Sequence, residues 1–308
     1  MVRLQPNLDL ATALRMTRPG FLVITLVACG LGYALAAREG QAVSLTLACI
    51  VTLAALLLHA WANVLNDYHD ALSGADDANR QGLFPFTGGA RLIQNAEVSV
   101  AQTRGLANLS ACAVVPLAGV LWWMAGQLVV WLGLTGLCLG WAYSAPPLRL
   151  MTRGAGEFTV GLVWALMVVG AAAVCKGQWQ PDVIAPALGY GMLIANILLI
   201  NAFPDAQADA SVGKRTAVVR LGPRRAAQAY LLLWVGAYVM LGVSIDIHAL
   251  PIEAAWSLIS LPVGAWGTML LARHAHRPQQ LRGAIVCTIV TAVLYGSAMA
   301  MGCLLAGA

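Results

Sequence analysis

Eight stretches of this chain run for 18 residues or more without Asp, Glu, Lys or Arg: 19–37, 40–66, 105–148, 158–175, 183–204, 226–245, 254–272 and 283–308. A helix needs about 20 apolar residues to cross the hydrocarbon layer of a bilayer. The 105–148 stretch has room for two crossings and a natural break at Gly126-Gln127, so the pattern predicts nine transmembrane helices. Composition agrees. Of 308 residues, 60% are hydrophobic and 10% charged, whereas a soluble domain carries about 25% charge. The first stretch has the length of a full span and no small-x-small site after it, so it reads as a span and not as a cleavable signal. The net charge of +5 is not gathered into one basic stripe, which excludes a nucleic-acid partner. Seven scattered cysteines without a CxxC pair read as small apolar residues, not as a disulfide frame.

Orientation follows from the positive residues, which favour the cytoplasmic side. With the N-terminus in the cytoplasm, 16 of the 18 Lys and Arg residues fall on the inner side, and only Arg38 and Lys176 fall outside. The expected setting is the cytoplasmic (inner) membrane of the cell. The outer connections are short, whereas two inner ones, about 67–103 and 203–225, are long and rich in Asp, Asn, Arg and Gly. Long connections of this kind are where function concentrates.

Both long connections begin with the same pattern. Asn63, Asp67 and Asp70 are spaced i, i+4, i+7, and Asn201, Asp205 and Asp209 are spaced i, i+4, i+8. Each set is expected on one face of a helix at the cytoplasmic end of a span, with Pro204 loosening the second helix. The pattern N-x-x-x-D recurs 138 residues apart, as a weak internal duplication. Either cluster alone would pass for a helix cap. Two at equivalent helix ends point to a site, because facing carboxylates repel one another unless a cation lies between them. Oxygen ligands without His or Cys suit a hard ion such as Mg²⁺, which characteristically bridges carboxylates to substrate phosphates. The two clusters therefore read as jaws for a diphosphate–Mg²⁺ complex.

Three segments carry a family resemblance: NVLNDYHDALSGAD (63–76), YSAPPLRL (143–150) and NAFPDAQADASVGKRTAVVRLG (201–222). Together they resemble the UbiA superfamily of intramembrane aromatic prenyltransferases, along nearly the whole chain. The resemblance implies one domain over 1–308, an all-α bundle of nine transmembrane helices around a central cavity. Two Asp-rich cytoplasmic loops would cap it, containing motif one (63–77) and motif two (201–216). Gly74 four residues past Asp70, followed by FTGGARLIQ (86–94), resembles the branch that prenylates 1,4-dihydroxy-2-naphthoate in menaquinone synthesis.

Carried over by position, the resemblance implies Asn63, Asp67 and Asp70 on one metal side and Asn201, Asp205 and Asp209 on the other. Asn66 would support the bound substrate. Lys214 and Arg215 would hold diphosphate oxygens through charge-assisted bonds, and Arg91 and Arg149 would meet phosphate or the acceptor's carboxylate. Tyr143 would donate to the departing diphosphate. Asp67, Asp205 and Tyr143 form the expected catalytic set. Asp76, Asp77 and His69 stay open, and His59 reads as a packing residue.

The implied reaction is attack of an electron-rich ring on an allylic polyprenyl diphosphate, with the isoprenoid tail left in the lipid bilayer. Two alternatives remain at this point. One is another aromatic acceptor, such as 4-hydroxybenzoate or homogentisate. The other is an ion-coupled transporter, for which acids near the bilayer midplane are expected.

Overall fold

In the computed structural model, residues 8–37 and 44–307 are described. Arg3 and Arg38 lie outside them, as does the side chain of Lys176. Eleven α-helices follow in chain order: α1 Leu10–Met16, α2 Pro19–Ala37, α3 Leu45–Ser73, α4 Ala75–Ala78, α5 Val100–Ala125, α6 Gln127–Ser144, α7 Gly156–Lys176, α8 Ile184–Ser211, α9 Ala217–Asp246, α10 Leu261–His274 and α11 Arg282–Ala306. Among the described residues nine helical segments are long and apolar enough to cross a membrane. They are α2, α3, α5 to α9, α10 with the 3₁₀ segment Ile252–Ser260 before it, and α11.

Local chemistry sets the ends. The Ser44 hydroxyl accepts from the Leu47 N–H at the start of α3, and Ser99 and Gln102 form a capping box at the start of α5. Gly126, with φ 81°, separates α5 from α6, which is the break expected in the longest charge-free stretch. A left-handed turn of this kind costs glycine nothing because it has no Cβ.

Helix α3 continues past the charge-free stretch to Ser73, and α8 continues to Ser211. The Asp-rich motifs thus begin on continuous helices, as their spacing predicts, because carboxylates at a helix's solvated end interrupt the apolar run without breaking its hydrogen-bond ladder. Helix α8 runs through Pro204 without a break, whereas α9 is interrupted at Gly222 (φ 75°) just before Pro223.

Helix α8 is the centre of the bundle, with buried residues along its length. It packs between α7 and α9, and α2 and α11 complete the core around it. Apolar burial drives little of this association inside a bilayer, so close backbone approach and interhelical hydrogen bonds matter more. A Cβ on Gly161 of α7 would lie 3.1 Å from the Gly191 carbonyl oxygen of α8. Tyr190 donates to the Ile24 carbonyl at 2.9 Å and Tyr295 to the Ala237 carbonyl at 2.9 Å. The outward faces of α5, α6 and α9 expose Val115, Trp131 and Leu232, as expected of helices solvated by lipid.

Candidate active site

A cavity of about 330 Å³ opens between α2, α3, α5, α6, α7 and α8. Its walls differ at the two ends. The deep part is apolar, with Leu121, Val129, Leu132, Val160 and Met167 along it. The end near the Asp-rich motifs is polar. Asn63, Asn66 and Asp70 from α3, Tyr143 from α6, and Asn201, Asp205 and Asp209 from α8 all line it, as does Lys214 just past α8. Eight of the residues singled out from sequence therefore meet at one place.

Lys214 joins the two motifs. Its ammonium donates to both Asp70 oxygens at 3.0 Å and lies 3.5 Å from Asp209 Oδ1. Burial works against its charge, yet Asp70 and Asp209 outweigh it and raise the pKa above the usual lysine value. Asn66 donates to Asp70 Oδ2 at 3.1 Å. The Asp205 carboxylate is held differently, accepting from Asn79 Nδ2 at 2.7 Å and from the Gly88 backbone N–H at 3.1 Å.

Asp67 does not face the cavity. Its carboxylate pairs with the Arg18 guanidinium and accepts from the Ala90 N–H at 3.3 Å. Arg18 does line the cavity. Burial opposes its charge, but Asp67 and Asp76 more than offset this and raise its pKa. Helical geometry explains the division of labour on α3. At about 100° per residue, Asp67 is turned roughly 40° from Asn63 to one side, while Asn66 and Asp70 turn to the other.

The segment 79–98 folds back over the polar end. Arg91, expected to meet substrate, instead braces this cover: it donates to the Asp76 and Asn79 carbonyls, each at 2.7 Å, and sits 4.8 Å from the centre of the Phe84 ring. Arg149 and Arg215 are exposed and do not line the cavity. Both follow chain reversals, where a long cation is turned to solvent. Of the acids left open, Asp76 is buried in the cavity wall and Asp77 is exposed. Burial first, then the negative charges of Asp70 and Asp67, push the Asp76 pKa up to about 8. His69 lies off the cavity, its ring against Tyr68.

Sequence reasoning passed over Arg18, Asn79, Gly88-Gly89 and Glu157. Glu157, at the start of α7, lines the cavity with no ion-pair partner among the described residues. The usable signals were the glycine pair and the position of Arg18 directly before the first span.

Metal-binding capacity can be tested on the residues present. Among the described residues no three of His, Cys, Asp and Glu stand close enough to share one ion. The donors are all oxygen, however, and Asn201 Oδ1 is buried without a hydrogen-bond partner. At Gly89 (φ 75°) the place where a Cβ would sit lies 2.8 Å from Asp76 Oδ2, 3.1 Å from Asp67 Oδ1 and 3.3 Å from Arg18 Nη2, so the guanidinium already serves that corner. The oxygens of Asp70, Asn201, Asp205 and Asp209 on the cavity wall fit a hard cation that takes its remaining ligands from water and phosphate.

Comparison with known proteins agrees with this architecture. The chain is 26% identical over 262 residues to the 2-carboxy-1,4-naphthoquinone phytyltransferase of Synechocystis, covering 82% of this chain and 80% of that protein. It is 31% identical over 238 residues to the 1,4-dihydroxy-2-naphthoate octaprenyltransferase of Escherichia coli, covering 74% of each. A solved UbiA homologue from Archaeoglobus fulgidus, bound to DMAPP and Mg²⁺, superposes with a TM-score of 0.64 over 95% of this chain and 99% of that one. Its 15% identity carries the fold alone. Residues 22–285 match the UbiA prenyltransferase family. The chain belongs to that family and is an integral membrane prenyltransferase.

Proposed function

We propose that this enzyme transfers a polyprenyl group from an allylic diphosphate to 1,4-dihydroxy-2-naphthoate, in menaquinone biosynthesis, with Mg²⁺ at the polar end of the cavity. The observation that carries the reading is the cavity's division into two chemistries. One end gathers carboxylates from both motifs with Lys214 and Arg18 beside them, and the other is apolar and lies within the helix bundle. An allylic diphosphate has the same two halves. The naphthoate acceptor is supported by Gly74 and FTGGARLIQ, and by the names of the two relatives described above.

Asp70, Asp205 and Asp209, with Asn63, Asn66 and Asn201, would hold the metal–diphosphate complex from opposite walls. Asp67 would act from behind, by holding Arg18. Bound Mg²⁺ would neutralise charge developing on the departing diphosphate. Lys214 and Arg18 supply fixed positive charge at the same place, aimed where negative charge builds up. Tyr143 stands at this end to donate to a leaving oxygen. The apolar walls exclude water, which would otherwise capture a carbocation-like centre. We place the polar end on the cytoplasmic side of the cell membrane, from the distribution of Lys and Arg.

The test is product analysis by mass spectrometry. Purified protein is given a prenyl diphosphate and a panel of aromatic acids, with Mg²⁺ or with chelator. Prenylated naphthoate is expected with Mg²⁺ and none with chelator. Prenylation of 4-hydroxybenzoate with the naphthoate ignored would refute the acceptor and spare the reaction class. Undiminished turnover in chelator would remove the metal.

A further inference from the structure

Below the Asp-rich end, the cavity wall contains a group of polar side chains that the diphosphate chemistry does not use. His59 of α3 lines the cavity, and so does Trp164 of α7. Both are more than nine-tenths buried, at 7% and 8% exposure. His59 Nδ1 shares a hydrogen bond of 2.8 Å with the hydroxyl of Thr25, which is fully buried on α2. The rings of His59 and Trp164 meet edge to face, with centroids 4.8 Å apart. One hydrogen-bonding atom is left over on the cavity. The Trp164 indole N–H is unpaired but sealed from it. His59 Nε2 has no partner among the described residues and opens on the cavity.

A histidine held only for packing has no need of this arrangement. Thr25 fixes the ring so that Nε2 is turned away from the helix contact, and an apolar residue would fill the same space without polar cost. A polar atom left unpaired in an apolar wall costs free energy that a ligand's polar atom would recover. Nε2 donates or accepts according to which partner in the Thr25 bond holds the proton, and a hydroxyl group, which can do both, suits either state.

We propose that His59, fixed by Thr25 and packed against the Trp164 ring, forms a subsite for a phenolic hydroxyl of the aromatic acceptor. The inference rests on the prenyl-transfer reading given above. Of the reacting partners, the isoprenoid chain has no hydrogen-bonding atoms and the diphosphate belongs to the polar end. Only the aromatic compound brings oxygen this far into the bundle. Position agrees. Helical rise puts His59 about 6 Å deeper than Asn63 on α3, and Thr25 about 9 Å deeper than Pro19 on α2. A ring acid with its carboxylate at the polar end and its hydroxyl directed inward spans this depth. His59 is thus a positioning residue that fixes the ring's orientation toward the allylic carbon.

The experiment uses the full-length protein in lipid nanodiscs, with farnesyl diphosphate and 1,4-dihydroxy-2-naphthoate as probes. His59→Leu should raise the KM for the naphthoate about tenfold, the value of one well-placed hydrogen bond, and leave that for farnesyl diphosphate within about twofold. His59→Gln should recover most of the loss, and Thr25→Val, which releases the ring, should raise the naphthoate KM about threefold. Equilibrium binding without diphosphate gives a second readout. Wild type should prefer 1,4-dihydroxy-2-naphthoate over 2-naphthoate, and His59→Leu should abolish the preference. If His59→Leu does not fold, the Gln and Thr25 variants and the wild-type preference still decide. An unmoved naphthoate KM in the folded variants, or an equal rise for both substrates, overturns the subsite alone. A wild type that consumes no prenyl diphosphate with any aromatic acid overturns the parent reading as well.

Discussion

Asp67 and Asp70 stand three residues apart on one helix, yet they have different partners and different consequences. Asp70 faces the cavity and Lys214, whereas Asp67 is turned toward α2 and holds Arg18. The sequence pattern put both on the metal side, because spacing gives a face to within a quarter turn and not the neighbour that the face meets. The distinction is measurable. Asp205→Asn should lower turnover at least about 100-fold, roughly 2.7 kcal/mol of transition-state stabilisation, while the thermal midpoint stays near that of wild type. Asp67→Asn should lower turnover comparably and also destabilise the fold by about 2 kcal/mol, since it strips a largely buried guanidinium of its carboxylate. Asp246→Asn, exposed at the far end of α9, is the control, expected within about twofold of the wild-type rate, or roughly 0.4 kcal/mol. Steady-state kinetics and thermal unfolding on the same preparations check all three. Unchanged turnover in both site variants would return the motifs to the status of helix caps.

Among the elements, the spans were the most legible. Long apolar stretches bounded by charge have few ways to be satisfied in a bilayer other than as helices, and the α5–α6 break fell at Gly126 as its residue type required. The 79–98 segment was the least legible. It has no hydrophobic period, and its structure comes from side chains reaching distant partners, such as Arg91 to the Asp76 and Asn79 carbonyls and Asn79 to Asp205. Gly89 is a tight point in it, with a positive φ and two carboxylates where a side chain would begin. Gly89→Ala should therefore reduce turnover about tenfold, roughly 1.4 kcal/mol, by displacing the cover from Asp67 and Asp76. Gly105→Ala, with open space at its Cβ position, should leave turnover unchanged. Equal rates in the two variants would show that the cover plays no part in the reaction.

For the whole molecule, the polar ends of the helices gather on one face. Contacts join Arg18 to Asp67, Lys214 to Asp70, the Arg215 N–H to the Thr152 carbonyl, and Gln279 to the Gln81 carbonyl. All of these segments fall on the side that the positive residues assign to the cytoplasm. A reporter active only outside the cytoplasm should give signal when fused after α11 and none when inserted near Gly213. The reverse result would invert the orientation and move the diphosphate end to the outer face. Sequence alone determined the number of spans, the membrane setting, the two Asp-rich motifs and their shared level, since each follows from the local order of charged and apolar residues. Only the tertiary structure decided that Lys214 bridges the motifs, that Arg18 takes Asp67, that Arg149 and Arg215 stay outside, and that His59 faces a cavity. Those facts depend on which helix faces are brought together, and a run of residues that is apolar on every side leaves its own rotation about the helix axis undetermined.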